Sequence, residues 1–165
     1  MWRTGLGILL TVFVISSCKY NEEFKTHETK LYTVTAPDYF YKTQKLSETA
    51  DLQLENKFRS MYMVVLQEYK EKNEDLESYS YKSIKKLTSQ LENSVVARQK
   101  NERINGMLSK RTEITGTIND IDFQYNIAYI NGQHYFYEIA IWTPINKMEK
   151  VGTDIEKIIA SFNEL

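Results

Sequence analysis

Two strand-like segments, residues 122–130 and 133–142, flank the dipeptide Asn131-Gly132, which favours the positive φ angles of a two-residue hairpin turn. With Ile130 opposite Gln133, one face of this hairpin carries Phe123, Tyr125, Ile127, Tyr129, His134, Phe136, Glu138, Ala140 and Trp142. The other face carries Tyr135, Tyr137, Ile139 and Ile141. Because large apolar side chains point to both sides, we expect the hairpin to lie within a sheet that other elements cover on each face.

Further strands are predicted on both sides of this hairpin. Residues 31–35 and 50–56 alternate apolar and polar positions as half-buried strands do, and Pro37 breaks the chain between them. Residues 60–69 contain a nearly continuous apolar run, which indicates a central strand buried on both faces. Strands continue from about residue 103, and Asn119-Asp120 is expected to turn the chain into the hairpin.

Two amphipathic helices are predicted to cover the sheet. In the first, over about residues 75–98, apolar positions recur at intervals of three or four. These positions are Ile84, Leu87, Leu91 and Val95. The second covers about residues 147–162, where Asn146 and Glu149 fit a capping box. Its apolar stripe comprises Met148, Val151, Ile155, Ile158, Ile159 and Phe162. The expected class is α+β, with one domain over residues 31–165 and a central antiparallel sheet flanked by helices on both faces.

The start of the chain has the pattern of a secretion signal. A short basic segment with Arg3 precedes an apolar run over residues 5–15 and the small residues Ser16 and Ser17. This order is typical of a secretory signal peptide, and the run is shorter than the ~20 apolar residues that cross a bilayer as a helix. Residues 1–17 are therefore interpreted as a signal peptide, with a retained membrane anchor as the weaker alternative.

The residues around Cys18 carry a second signal. Ile15-Ser16-Ser17-Cys18 resembles the lipobox of bacterial lipoproteins, in which an aliphatic and two small residues precede an obligatory cysteine. The resemblance implies that a diacylglyceryl group is attached to the Cys18 sulfur, that the chain is cut before Cys18, and that the new amino group is acylated, with palmitate expected. An ordinary cleaved signal peptide is the alternative. Cys18 is the single cysteine, so lipidation leaves no thiol for disulfides, catalysis or metal binding.

Residues 18–30 are rich in charge, and we expect them to form a flexible tether between the lipid and the domain. Glu22-Glu23 resembles the acidic sorting signal of some Bacteroidetes surface lipoproteins, and a solvated tether is the simpler interpretation of the same residues. The expected location is the cell envelope, with the domain anchored to a membrane on its periplasmic side or at the outer-membrane surface.

The order of elements carries a resemblance of its own. A strand, a proline break, strands, a helix, a strand meander and a helix follow one another, with Trp142-Thr143 near the end and residues 158–162 closing the pattern. This order resembles the PsbP-like family, which takes its name from an extrinsic subunit of photosystem II. The resemblance covers roughly residues 31–162 and implies a central antiparallel sheet with helices on both faces. It carries over no metal-binding or partner-binding residue, and a different α+β fold with the same element order is the alternative.

No motif in the sequence carries catalysis or metal binding. His27 and His134 lack the spacing of a zinc site, and Asp120 and Asp122 are interpreted as turn residues rather than calcium ligands. The Gly-x-Ser-x-Gly motif of many hydrolases is absent, and 21 basic against 22 acidic residues argue against a nucleic-acid partner. We expect no cofactor, no metal and no enzymatic activity. A hydrolase built on His134 or on a carboxylate pair is the enzymatic alternative.

The remaining unusual feature is the content of twelve tyrosines. Tyrosine combines an apolar body with a polar tip and therefore suits interfaces. The candidate interaction patch on the hairpin consists of Tyr125, Tyr129, His134, Tyr135 and Tyr137; packing of the same rings in the core is the alternative. The leading hypothesis is a non-enzymatic accessory lipoprotein that docks on another envelope protein. The second is a module that binds a small ligand or lipid in a cavity between sheet and helix.

Overall fold

A computed structural model describes residues 23–165 of the chain. The predicted signal peptide, the lipobox and Cys18 lie outside these residues. In chain order the elements are β1 (Phe24–Glu28), β2 (Tyr32–Pro37), β3 (Tyr41–Lys42), β4 (Leu52–Asn56), β5 (Met61–Tyr69), α1 (Leu76–Thr88), β6 (Glu92–Val96), β7 (Lys100–Ile104), β8 (Met107–Ile118), β9 (Ile121–Asn131), β10 (Tyr135–Pro144), a 3-10 turn (Ile145–Lys147), α2 (Met148–Ala160) and β11 (Asn163–Glu164).

The main sheet is antiparallel and has eight strands. Its order is β3-β4-β5-β10-β9-β8-β6, and β7 also pairs with β8. A second sheet, with the order β1-β2-β11, lies beside α2. The β9–β10 hairpin therefore occupies the centre of the main sheet, which confirms the position predicted from its two apolar faces.

Separate hydrophobic cores fill the two sides of the main sheet. On one side, α2 and β2 pack on the sheet with Tyr32, Val34, Met61, Met63, Val65, Ile139, Ile141, Ile155, Ile158 and Phe162. On the other side, α1 packs on the sheet with Val64, Tyr79, Ile114, Tyr125, Ile127, Tyr129, Phe136 and Ala140. The predicted α+β class, an antiparallel sheet with helices on both faces, is confirmed. Within residues 23–165, neither helix is long and apolar enough to cross a membrane.

The register of the central hairpin differs from the prediction, although the assignment of its faces is correct. Ile130 pairs with Tyr137 rather than with Gln133, and Tyr125 pairs with Trp142. The slip equals an even number of residues, and because side chains alternate with a period of two, an even slip leaves every side chain on its predicted face.

The Asn131-Gly132 dipeptide does not form the predicted turn. Neither residue has a positive φ; the chain turns at Gln133 and His134, and the Gly132 N–H donates to the Tyr135 carbonyl oxygen at 3.0 Å. Gly132 is required for space instead, since a Cβ there would lie 2.6 Å from Tyr137 Cε2. The two-residue turns with positive φ are Asn105-Gly106 and Asn119-Asp120, and the second of them was predicted as a turn.

The first helix is shorter than predicted. It ends at Thr88, and Asp75 caps its start by accepting a hydrogen bond from the Ser78 N–H at 2.8 Å. Residues 92–96 instead form the exposed edge strand β6, where Val95 is 65% exposed. The φ of 50° at Asn93 is incompatible with a right-handed helix at that residue, and the β-branched Val95 and Val96 favour the extended chain that pairs with β8.

The second helix keeps its predicted apolar stripe but not its predicted cap. Val151, Ile155, Ile158, Ile159 and Phe162 are all buried. The N-cap residue is Lys147, which makes no side-chain capping bond, so the capping box of Asn146 and Glu149 is wrong. The chain enters α2 from a 3-10 turn, which already places these residues inside helical backbone and away from the cap position.

Part of the predicted tether belongs to the folded domain. Residues 24–28 form β1, which pairs with β2 along its whole length, and His27 is only 7% exposed. Thr26 and Thr35 are also joined by a hydrogen bond between their hydroxyls at 2.9 Å. The prediction of a flexible segment is therefore wrong for residues 24–28, because β2 offers backbone donors and acceptors that a charged but β-compatible segment can satisfy.

Candidate functional site

The five residues of the predicted interaction patch do not form one surface. Tyr125 and Tyr129 are buried under α1, whereas Tyr137 is buried on the opposite face of the sheet. Tyr135 is half-buried and His134 is exposed. The hydroxyl of Tyr129 donates to Ser83 Oγ at 3.3 Å, and that of Tyr137 donates to Glu164 Oε1 at 2.9 Å. The alternative, in which these rings fill the core, holds for the three buried tyrosines.

A smaller aromatic surface remains at the turn of the central hairpin. Tyr135 pairs across strands with Tyr69, which is 66% exposed. The two rings meet edge to face, with centroids 5.5 Å apart, and His134 precedes Tyr135 in the turn. Sequence analysis missed Tyr69 because its neighbour on the sheet is 66 residues away along the chain.

A cleft lies under α1 on one face of the main sheet. This helix packs on β8 and β9, so part of the sheet face formed by β5 and β10 stays uncovered. The cleft has a volume of about 680 Å³, within the range of small-molecule sites. Its apolar wall consists of Leu46, Val64, Leu66, Leu87, Tyr125, Ala140 and Trp142, and its polar lining includes Gln67, Glu68, Lys82, Ser83, Lys86, Gln90 and Glu138.

Stacked aromatic rings form one end of the cleft wall. Trp142 stacks on Tyr125 of β9 with centroids 5.6 Å apart and on Tyr62 of β5 with centroids 5.5 Å apart. The register places these three residues side by side on neighbouring strands. Trp142 is only half-buried, so a flat apolar group can extend this stack from the cleft.

Glu138 is the buried charge of the cleft. It lies in the middle of β10, 9% exposed, between Leu66 and Tyr129 on the neighbouring strands. Ser83 Oγ of α1 donates to Glu138 Oε2 at 2.6 Å. Burial raises the pKa of Glu138 above its ordinary value of 4.5, and Glu68 raises it further, whereas the Ser83 hydrogen bond and Lys86 oppose the rise. Among residues 23–165, no cation forms an ion pair with this carboxylate.

The rim of the cleft carries two lysines on the same side of α1. Lys82 pairs with Glu74 at 2.7 Å, whereas Lys86 makes no ion pair with any residue of the described range. Sequence analysis placed Glu138 on an apolar strand face without a role. The sequence signal for the site is one carboxylate at an inward strand position, Glu138, together with a helical serine, Ser83, that lies one residue from Lys82 and three from Lys86.

Substitution of Glu138 by glutamine tests whether the carboxyl group opposes folding at neutral pH. Because its folded-state pKa is raised, protonation contributes stability that is fully present below the unfolded pKa of about 4.5 and is lost as pH rises through the folded pKa. Glutamine can still accept from Ser83 but cannot ionise. We therefore expect Glu138→Gln to have a higher Tm than the unmodified protein at about pH 7 and an equal Tm at about pH 4. A difference independent of pH in thermal unfolding would contradict this assignment.

No group of three or more His, Cys, Asp or Glu side chains within residues 23–165 is arranged to hold a metal ion. Asp120 lies in the positive-φ turn between β8 and β9, and Asp122 accepts a hydrogen bond from the Thr117 hydroxyl at 2.7 Å. Their interpretation as turn residues agrees with this geometry.

The comparisons with known proteins rest on structure alone, since neither a family model nor the sequence of a curated protein matches the chain. The solution structure of the cyanobacterial PsbP (CyanoP) from Synechocystis sp. PCC 6803 superposes with a TM-score of 0.68 at 11% identity, over 92% of this chain and 99% of that one. The Ran-binding protein Mog1p from Saccharomyces cerevisiae gives 0.62 at 15% identity, over 86% and 95%. LpqN, involved in cell envelope biogenesis of Mycobacterium tuberculosis, gives 0.63 at 8% identity, over 87% and 91%.

At these identities the similarities concern the backbone arrangement and not the chemistry of the cleft. The proteins with this arrangement include a cyanobacterial PsbP, a Ran-binding protein and a protein involved in cell envelope biogenesis. The domain of residues 23–165 has the PsbP-like α+β fold.

Proposed function

We propose that this chain is a lipid-anchored envelope protein whose domain binds a small amphiphilic molecule without chemically changing it. The observation that carries the proposal is the cleft under α1, which combines an apolar aromatic wall with one buried carboxylate. Concave apolar sites with a few convergent polar groups are typical of ligand binding. The anchor is inferred from the lipobox at Cys18, and LpqN offers a precedent for this fold in envelope biogenesis.

The lining of the cleft indicates the chemistry of its ligand. An apolar or aromatic body would stack against Trp142 and lie over Val64 and Ala140. A hydroxyl or amine at one end would donate to Glu138, whose Oε1 receives no hydrogen bond from the described residues and whose Oε2 is bound by Ser83. Such a donor would also offset the cost of the buried charge, because a carboxylate out of water requires hydrogen-bond partners.

Binding of 1-aminoanthracene, a fluorescent arylamine, tests the cleft directly. We expect its emission to rise on binding, and Glu138→Gln to weaken binding about 10-fold, because a hydrogen bond to a charged group contributes roughly 1.5–3 kcal/mol. Ala140→Leu should abolish binding, since the added side chain projects into the cleft. Glu102→Gln, at an exposed carboxylate on β7, is the matched control and should bind normally. Equal binding by Ala140→Leu would place the probe elsewhere and defeat the proposal.

A protein partner is the second candidate. Mog1p, which shares the fold, is a Ran-binding protein, so the fold is compatible with docking on another protein. On this chain the surface that favours docking is formed by the exposed Tyr69, the half-buried Tyr135 and the exposed His134. Crosslinking in the native envelope, repeated with Tyr69→Ala, separates this candidate from the ligand-binding one. Tyr137 is unsuitable for such a test because it is fully buried.

A further inference from the structure

The most exposed large apolar side chain of residues 23–165 lies at one end of the main sheet. β4 and β5 are joined by Lys57, Phe58, Arg59 and Ser60, hereafter the Phe58 turn, and the Phe58 ring is 95% exposed. A hydrogen bond fixes the backbone of this turn, since the Arg59 N–H donates to Asn56 Oδ1 at 2.8 Å. This turn therefore exposes a phenylalanine ring to solvent. Transfer of the ring from water to an apolar environment would be favourable.

Three cationic side chains belong to the Phe58 turn or bond to it. Lys57 is 71% exposed at its side chain and lies 3.8 Å from Glu55. The Arg59 guanidinium lies over the ring of Tyr39, 4.0 Å from its centroid, and Lys147 Nζ donates to Ser60 Oγ at 2.9 Å. An exposed aromatic ring next to the exposed, positively charged Lys57 is the combination that amphipathic segments place at the boundary of lipid headgroups.

The described chain begins at the same end of the molecule. The carbonyl oxygen of Glu23 accepts from the Asp38 N–H at 2.8 Å. The next residue, Tyr39, contacts the Phe58 turn through Arg59, and its carbonyl oxygen accepts from Asn56 Nδ2 at 2.7 Å. Cys18 precedes Glu23 by five residues, a length of chain that reaches at most about 18 Å. A lipid on Cys18 would therefore keep this end of the domain close to the bilayer.

We propose that the Phe58 turn is a membrane-contact site, which inserts its ring at the boundary of headgroups and acyl chains while Lys57 meets lipid phosphates. This inference rests on the proposed anchor at Cys18. The anchor makes contact with lipid intramolecular, so even a weak individual interaction is sufficient to orient the domain. Exposed Asp38 and Glu23 at the same end limit the depth, because carboxylates favour the aqueous side of the headgroups.

The orientation has a consequence for the rest of the molecule. β5 runs from the Phe58 turn to Tyr69 over nine residues, a distance of roughly 30 Å. The aromatic surface of Tyr69 and Tyr135 therefore lies at the end of the sheet that points away from the membrane, where a soluble molecule can reach it.

The test uses the full chain, expressed in a bacterium, purified from membranes and reconstituted in vesicles of phosphatidylethanolamine and phosphatidylglycerol, with and without brominated acyl chains. Two variants are compared, Phe58→Trp and Tyr81→Trp. Tyr81 is also an exposed aromatic residue, at 66%, but it lies on α1 over a face of the sheet. Trp142 is present in both variants, and so is Trp2 where residues 1–17 are retained, so the emission of the unmodified chain is measured in parallel and subtracted. We expect brominated lipid to quench the Phe58→Trp emission and shift it to shorter wavelength, with no such change for Tyr81→Trp.

Intact mass of the same samples reports separately on the anchor. A mass that matches acylated Cys18 supports the proposed function, and a mass that retains residues 1–17 overturns lipidation at Cys18. Both of these forms keep a hydrophobic segment or lipid at the bilayer, so the background-corrected quenching result stands for either mass. A mass of the cleaved chain without acyl groups overturns both the anchor and the membrane-contact site that rests on it. Equal quenching of both variants, or none for Phe58→Trp in vesicle-bound protein, overturns the membrane-contact site. The second result is also the one that a protein partner or a second copy on the Phe58 turn would produce.

Discussion

Phe162→Ala is expected to destabilise the domain by about 3–5 kcal/mol, the usual cost of deleting a fully buried phenylalanine ring. Phe162 is 0% exposed. Its ring stacks on Tyr32 with centroids 5.3 Å apart and contacts Tyr137 at 5.0 Å. This cluster connects the end of α2 with both sheets, so the cavity cannot close by the movement of one surface loop.

Urea unfolding followed by circular dichroism measures this effect, with a lower midpoint and an unchanged dependence on denaturant concentration. Phe58→Ala is the matched control, because the same atoms are removed from a ring that is 95% exposed. Its change in stability should stay within about 0.5 kcal/mol in solution. Similar losses for the two variants would show that Phe162 does not hold the two sheets together.

Gly132→Ala is expected to cost roughly 1–3 kcal/mol through overpacking. A Cβ at this position would lie 2.6 Å from Tyr137 Cε2 and 2.8 Å from Glu164 Cδ. Glu164 can move at its far end, but it then loses the hydrogen bonds from Tyr137 Oη at 2.9 Å and from the Gln133 N–H at 2.8 Å. The buried ring of Tyr137 has no free space to enter.

Gly152→Ala provides the opposite expectation at a second glycine. Gly152 lies inside α2, has no positive φ, and a Cβ there meets nothing within 4 Å. Alanine should therefore stabilise the protein by about 0.5–1 kcal/mol, since it loses less conformational freedom in a helix. Thermal unfolding of both variants compares them directly. A neutral Gly132→Ala would show that the contact with Glu164 is dispensable.

The tyrosines of the β9–β10 hairpin show how far a single sequence can predict a functional site. The alternation of residues 122–142 was sufficient to place Tyr125 and Tyr129 on one face and Tyr135 and Tyr137 on the other. It was insufficient to predict which rings are exposed, because exposure depends on the position of α1 and α2 over each face. The cleft was not located for the same reason. Ser83 and Glu138 are 55 residues apart in the chain, and no local pattern connects them.

The Asn-Gly turn shows the same limit at the level of the backbone. Both Asn105-Gly106 and Asn131-Gly132 satisfy the local rule for a hairpin turn, yet only the first has positive φ angles. At the second, the approach of Glu164 from the end of the chain decides the role of the glycine. The end of α1 is a related case, since the apolar spacing continues to Val95 whereas pairing with β8 draws residues 92–96 into the sheet.

The sequence by itself determined the class of the fold, the central position of the hairpin and the buried stripe of α2. These features follow from the periods of two and 3.6 residues, which are properties of strands and helices and do not depend on distant contacts. Only the tertiary structure decided the hairpin register, the strand character of residues 24–28 and the cleft that contains Glu138. Each of these depends on contacts between segments that are tens of residues apart in the chain. Local periodicity carries no information about such contacts.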